Sequence, residues 1–192
     1  MTAPATPPAP TVVVVSGNPR PGSRTLGAAE AAAHRIAAVL QIDDVVTVDL
    51  ATFAGEILTP EHPTADAAKA RLANATVAVI ATPVYKAAYT GLLKSFLDLY
   101  GNDGLAGVVA VPLVVSGNPA HALAGEVHLR PVLVELGATV PARSLTVTEA
   151  QLADLDGAIE SWLQRASEPL RRAVRPAEVP VGAGSVAGEV VR

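Results

Sequence analysis

The chain contains no cysteine, which removes disulfides, thiolate metal sites and cysteine nucleophiles together and leaves four scattered histidines, with Asp and Glu, as the available metal ligands. No metal centre is expected from them, and nothing in the cysteine usage points to an oxidising compartment. Aromatic residues are scarce at 3%, with one Trp and three Tyr, so a loop that collects two tyrosines stands out. An excess of positive charge is also missing. Against 18 Asp plus Glu stand 14 Lys plus Arg, a formal net charge of -4, without the basic stripe that binding to a phosphate backbone requires. Nucleic acid is therefore not expected as a partner. The apolar runs fall far short of the ~20 residues of a membrane span, and the first residues lack a charged segment followed by an apolar one. The expectation is a soluble cytoplasmic protein with no membrane partner.

What is present suits one compact domain. Half of the 192 residues (50%) are hydrophobic and 17% are charged, and a chain of this length buries roughly 70% of its unfolded surface without needing staples. Four of the sixteen prolines lie in the first ten residues, and Pro176 to Arg192 is mostly Pro, Gly, Ala and Val with little periodicity. This predicts a flexible N-terminal arm over 1–10, a body over 11–174 and a C-terminal tail over 175–192.

Within the body, valine-rich runs alternate with longer alanine- and leucine-rich ones. Thr11–Ser16, Val45–Leu50, Thr76–Ala81, Val108–Val115 and Ser144–Val147 read as strands, and the near-continuous apolarity of the first, third and fourth suits burial on both faces of a parallel sheet. Ser23–Leu40, Ala65–Asn74, Gly91–Tyr100, Ala120–Leu136 and Ala150–Ala173 carry helical spacing, with Gly101 and Gly137 as stops. Five such repeats predict a doubly wound α/β fold. Five strands rather than six favour the order 2-1-3-4-5, which puts the ligand crevice beyond the carboxyl ends of strands 1 and 3.

The loops at that crevice should carry the chemistry. After the first strand, Ser16-Gly17-Asn18-Pro19-Arg20-Pro21-Gly22-Ser23-Arg24-Thr25 runs directly into the first helix. Free amides and the positive end of the helix dipole make this an anion site, with Asn18, Ser23 and Thr25 as neutral donors and Arg20 or Arg24 as charge. The alternative is an ordinary βα turn in which Ser23 is an N-cap and the arginines are solvated. The mononucleotide P-loop is approached but not matched, since Ser23 stands where its lysine should be and the third strand ends in Ala81-Thr82-Pro83 without a magnesium-holding Asp. The dinucleotide fingerprint fails for want of its glycines, so Asp49 reads as a turn residue before it reads as a ribose ligand.

After the third strand comes Thr82-Pro83-Val84-Tyr85-Lys86-Ala87-Ala88-Tyr89-Thr90-Gly91. Pro83, Val84 and Tyr85 could border a flat ring system whose polar edge meets loop amides; alternatively the tyrosines only pack, and Thr90 caps the next helix. Lys94 and Asp98, four apart, read as a surface pair.

The run ATPVYKAAYTGLLKSFLDL, with SGNPRPGSRT before it and SGNPAHALAGEVHLRPVLVELGA after it, resembles the NAD(P)H-dependent FMN reductase family, and within it the reductases of alkanesulfonate utilisation. The resemblance spans about 11–165. It implies a flavodoxin-like three-layer α/β sandwich, FMN as cofactor and NADPH or NADH as electron donor. It further implies hydride transfer to the flavin without a catalytic side chain, and reduced FMN supplied to a partner monooxygenase. By motif, Asn18, Arg20, Ser23, Arg24 and Thr25 would take the FMN phosphate, Pro83, Val84, Tyr85 and Lys86 would border the isoalloxazine, and Ser116, Gly117 and Asn118 would close its far side. The family usually has Ser at the place of Asn18 and a glycine–hydroxyl pair at Gly117-Asn118. The alternatives are a non-catalytic flavin-binding electron carrier, and a quinone, azo or metal-oxyanion reductase with tightly bound FMN.

Arg130-Pro131 lies inside the predicted Ala120–Leu136 helix. A proline there lacks its N–H and displaces a carbonyl, which predicts a kink or π-bulge near Val127 and His128. The sulfonate-linked reductases similarly carry a one-residue insertion in this helix at a subunit interface, commonly marked by a tyrosine, where this chain has Val127. The same helix and Gly91–Tyr100 are apolar around much of their circumference, which predicts a homo-oligomer, a dimer or tetramer.

Overall fold

The computed structural model describes residues 9–174. The expected N-terminal arm, apart from Ala9 and Pro10, and the expected C-terminal tail lie outside the described residues. Five parallel strands form one sheet in the order 2-1-3-4-5: β1 (Thr11–Ser16), β2 (Asp44–Asp49), β3 (Val77–Pro83), β4 (Val109–Ser116) and β5 (Leu145–Thr148). Every strand lies within about one or two residues of its expected span.

Alternation along β1 supplies both faces of the sheet. Val12 and Val14 pack with α1 (Arg24–Leu40) and α5 (Leu155–Val174), while Val13 and Val15 pack against α2 (Pro63–Ala73), α3 (Gly91–Leu97) and α4 (Arg130–Glu135). The sandwich is thus three-layered, and β1, β3 and β4, covered on both sides, are almost wholly buried. Small residues at Ala28, Ala29, Ala32, Ala33 and Ala37 bring α1 down close to the sheet, with Ile36 filling the space between. Trp162 of α5 is buried in this layer and donates its indole N–H to the Arg143 carbonyl at 2.8 Å, so it belongs to the core and not to the crevice.

Four segments differ from expectation. The stretch expected as one helix over Ala150–Ala173 opens as a 3-10 turn (Ala150–Asp154), and α5 begins only at Leu155. The helix expected over Ala65–Asn74 begins earlier, at Pro63, whose missing N–H is no loss at the first helical position. Gly101 is not the stop of α3, which ends at Leu97 with the Asp98 amide bonded back to the Lys94 carbonyl. The stretch expected as one helix over Ala120–Leu136 is broken into a 3-10 turn (Pro119–His121), a π turn (Gly125–Leu129) and α4. Pro131 has no N–H to continue the α-helical ladder, and the π turn absorbs the extra residue just before it. It is held in place from outside. A Cβ on Gly125 would lie 2.7 Å from Ser144 Cβ and Oγ, Glu126 accepts the Ser144 amide, and Arg130 donates to the Ala142 and Val140 carbonyls at 2.9 and 2.7 Å. Among the described residues, no helix is long and apolar enough to cross a membrane.

Candidate functional site

All five strands are parallel, so the loops following β1, β3, β4 and β5 meet at one edge of the sheet, where they enclose a cleft of about 550 Å³. The first loop is fixed by its own polar groups. Asn18, 8% exposed, accepts the Arg20 amide through Oδ1 (3.0 Å) and donates from Nδ2 to Thr25 Oγ1 (3.1 Å). Asp49, at the end of β2, accepts the Gly22 amide at 3.1 Å, and Gly22 has a φ of +61°, which glycine adopts without penalty. Asp49 also takes the Ala51 amide at 3.3 Å, so both carboxylate oxygens brace the backbone and one of them anchors the first loop.

Ser23 is the N-cap of α1, accepting the Leu26 amide at 3.2 Å. Among the described residues, the Ser23, Arg24 and Thr25 amides have no intramolecular acceptor and stand at the positive end of a 17-residue helix. Ser23 thus caps the helix, and the cap leaves the amides of the turn it begins without a partner among the described residues.

The loop is locked to its neighbour through Thr90. Its hydroxyl caps α3 by accepting the Leu93 amide (3.1 Å) and donates to the Gly17 carbonyl (2.5 Å), while its own amide donates to Thr82 Oγ1 (3.1 Å). Gly17 donates to the Ala81 carbonyl at 2.8 Å.

Beyond β3, Val84 donates to the Val115 carbonyl at 2.8 Å, and Tyr85 and Ala88 exchange backbone hydrogen bonds at 2.9 and 3.1 Å. Between them Lys86 and Ala87 adopt φ of 51° and 69°, a tight two-residue hairpin of the mirror-image type. It presents the Tyr85 ring, 44% exposed, at the cleft rim. Behind β4, Ser116 Oγ donates to the Asn118 carbonyl (2.7 Å) and accepts its amide (3.0 Å), while the Asn118 side chain accepts the Ala120 amide (2.9 Å). These two side chains shape the loop from within and leave Gly117 to face the cleft.

Of the expected site residues, Asn18, Arg20, Ser23, Arg24, Thr25, Pro83, Val84, Tyr85 and Gly117 line the cleft. Lys86, Ser116 and Asn118 do not: Lys86 stands on the hairpin turn and the other two bond to their own loop. Four lining residues were missed, Pro21, Gly22, Val115 and Glu149. Glu149 follows β5, donates its amide to the Ser116 carbonyl at 2.9 Å and pairs with Arg24 at 2.9 Å. Its only signal in sequence was an acidic residue just past a strand end. Lys94 and Asp98 form the surface pair that their spacing suggested, and the hydrogen bond to Asp98 holds the Lys94 ammonium above its ordinary range. Among the described residues, no group of three or more His, Asp and Glu is placed to hold a metal ion.

The arrangement can hold a phosphate at one end, on helix amides and two guanidinium groups, and a flat ring at the other, against Pro83, Val84 and Tyr85. The profile of a family described as NADPH-dependent FMN reductase matches residues 10–151. An Escherichia coli protein named FMN reductase (NADPH) is 36% identical over 146 residues, which cover 74% of this chain and 75% of that one. A Pseudomonas putida protein named NADH-dependent FMN reductase SfnF is 36% identical over 126 residues, covering 63% and 68%. Among solved structures, the apo form of an NADH:FMN oxidoreductase superposes with a TM-score of 0.69 at 33% identity, over 85% of this chain and 94% of that one.

Proposed function

The chain belongs to the NADPH-dependent FMN reductase family and is an NAD(P)H:FMN oxidoreductase, and from that premise we propose that the cleft between the first and second loops is its flavin site. FMN, when bound, supplies the hydride acceptor for the nicotinamide. The residues present fit that group. Arg20 and Arg24, with the Ser23, Arg24 and Thr25 amides, would hold the phosphate dianion, and the Ser23 and Thr25 hydroxyls each keep a proton to donate. Asn18 and Asp49 act through the loop they brace. Pro83, Val84 and Tyr85, with Val115 beside them on the neighbouring strand, would border the ring, and Gly117 would close it from the loop after β4. With the redox chemistry on the cofactor, no side chain of the cleft is required as acid or base.

The observation that carries this reading is the set of unpartnered amides at the start of α1, on residues that line a cleft also lined by two arginines. Charge-assisted hydrogen bonds to a phosphate contribute about 1.5–3 kcal/mol each. FMN should therefore bind at least about tenfold more tightly than riboflavin, one such bond being enough. Flavin titration followed by fluorescence quenching measures both constants, and equal values would overturn the phosphate assignment.

Relatives named for FMN support free FMN as the acceptor, in preference to a quinone, an azo compound or a metal oxyanion. Reduced FMN would then pass to a partner monooxygenase, as the resemblance to the sulfonate-linked reductases implies, and a nucleotide-driven supply of reduced flavin suits the cytoplasm. We also propose that the chain associates with copies of itself. Leu123, Val127, Pro131 and Val134 form an exposed apolar stripe along the π turn and α4, with Leu123 64% and Val127 58% exposed. Closed symmetric homo-oligomers are the commonest soluble assembly and would cover such a stripe with a second copy. Light scattering should return a multiple of 19.5 kDa, and the Val127→Glu variant should shift it towards the single-chain mass. A wild-type mass near 19.5 kDa at micromolar concentration would refute the association.

A further inference from the structure

The Arg24–Glu149 pair joins residues 125 positions apart in sequence. Arg24 opens α1 behind β1, Glu149 follows β5, and β3 and β4 lie between those strands in the sheet. The pair therefore bridges the carboxyl ends of β3 and β4, across the cleft. The Glu149 carboxyl carbon also stands 3.9 Å from where a Cβ on Gly117 would be, so the carboxylate occupies space between the first and third loops. Among the described residues lining the cleft, Glu149 is the one anion, and it engages one of only two cations, Arg20 being the other.

As a fold-stabilising contact this pair is weak. The two side chains are 68% and 53% exposed, and ion pairs so open to water contribute little to folding. Towards a dianion arriving at the start of α1 the same carboxylate matters more. A phosphate must draw Arg24 away from Glu149 and then rest near a like charge.

We propose that Glu149 sets the affinity of the cleft for the flavin phosphate by competing for Arg24, so that FMN binds exchangeably. This rests on the reading of the cleft as a flavin site. Glu149 acts here through Arg24 and by its field; it is a positioning residue. A reductase that hands on its reduced product needs the product to leave, and a resident carboxylate that reclaims Arg24 favours departure. The competition bears only on flavins that carry a phosphate, and it weakens as salt screens the exposed charges.

FMN and riboflavin are titrated into the wild type, Glu149→Gln, Arg24→Gln and the double variant at low and at high ionic strength. Glu149→Gln should tighten FMN binding about three- to fivefold at low ionic strength, the scale of an exposed charge pair, and less at high. Riboflavin binding should stay the same. In the Arg24→Gln background, the gain from Glu149→Gln should shrink. An unchanged or weaker FMN constant in Glu149→Gln would overturn the inference, as would equal tightening for riboflavin, which would make Glu149 part of the ring pocket. A wild type that binds FMN no better than riboflavin would instead remove the phosphate site itself.

Discussion

Thr90→Val is expected to lower the unfolding free energy by about 3 kcal/mol and to loosen the first loop with it. Valine matches threonine in shape, so the change isolates the hydroxyl. In the wild type that hydroxyl makes two bonds in a place water does not reach, 3% exposed: it accepts the Leu93 amide at 3.1 Å and donates to the Gly17 carbonyl. Losing an N-cap costs about 1 kcal/mol, and leaving a buried carbonyl unpaired costs about 1–3 kcal/mol. For a domain of this size each kcal/mol moves the thermal midpoint by about 2–4 °C, so a fall of about 6–12 °C is expected. Thr90→Ser keeps both bonds and should stay within about 1 kcal/mol of the wild type, the cost of one lost methyl. Thermal or urea unfolding of the two variants checks this. Equal stabilities would mean that the bond to Gly17 contributes nothing and that the two loops are held together by packing alone.

Thr90 also shows what the sequence can and cannot reveal. Its place before Gly91 and Leu92 marks a helix cap, and so it proved, but its second bond reaches back 73 residues to Gly17 and has no local signature. The same division runs through the fold. The strands followed from five valine-rich runs separated by helical spacing, and their order from there being five and not six; in β1, β3 and β4 burial on both faces leaves a continuous apolar mark that pairing cannot hide. The π turn was legible because Pro131, in the middle of the expected helix, removes a hydrogen bond from its ladder by covalent structure alone. Its clamp was not, since Gly125, Glu126 and Ser144 meet only after β5 is laid beside β4.

In the cleft, most lining residues of the loops after β1 and β3 were found, Pro21 and Gly22 being missed as plain turn residues, while Val115 and Glu149, brought in by topology, were missed as well. Asp49 reads as a turn residue until the β1–β2 register sets it opposite Ser16, within reach of Gly22. Glu149 comes from the far edge of the sheet. Ser116 and Asn118 have the right chemistry and the right place in the chain, and Ser116 Oγ and Asn118 Oδ1 each bond within their own loop. Lys86 and Ala87 carry no turn signal, because a left-handed hairpin usually declares itself by Asn or Gly and here uses neither.

Gly17→Ala is expected to destabilise the protein by at least about 2 kcal/mol and to abolish its preference for FMN over riboflavin, through lack of space and not through backbone angle. Gly17 does not have positive φ, so its conformation alone would admit alanine. A Cβ there, however, would lie 2.5 Å from Leu93 Cβ, 3.2 Å from its Cγ and 3.3 Å from its Cα. The colliding atoms are fixed to the backbone of α3 and cannot rotate away as the tip of a long side chain would. Relief requires α3 or the first loop to move, and overpacking of this kind costs about 1–3 kcal/mol, more where the backbone must shift. The loop, exposed over Pro19–Gly22, should yield before α3, whose Leu93, Phe96 and Leu97 are buried, breaking the Thr90–Gly17 bond and turning the α1 amides out of line. Trimming Leu93 to Ala does not remove the clash, since the Cβ at 2.5 Å remains; a Gly17→Ala, Leu93→Ala double variant should therefore be no more stable than Gly17→Ala. Urea unfolding and parallel titrations with the two flavins measure both effects. A Gly17→Ala protein with wild-type stability and an undiminished preference for FMN would show that the first loop has slack the structure does not display.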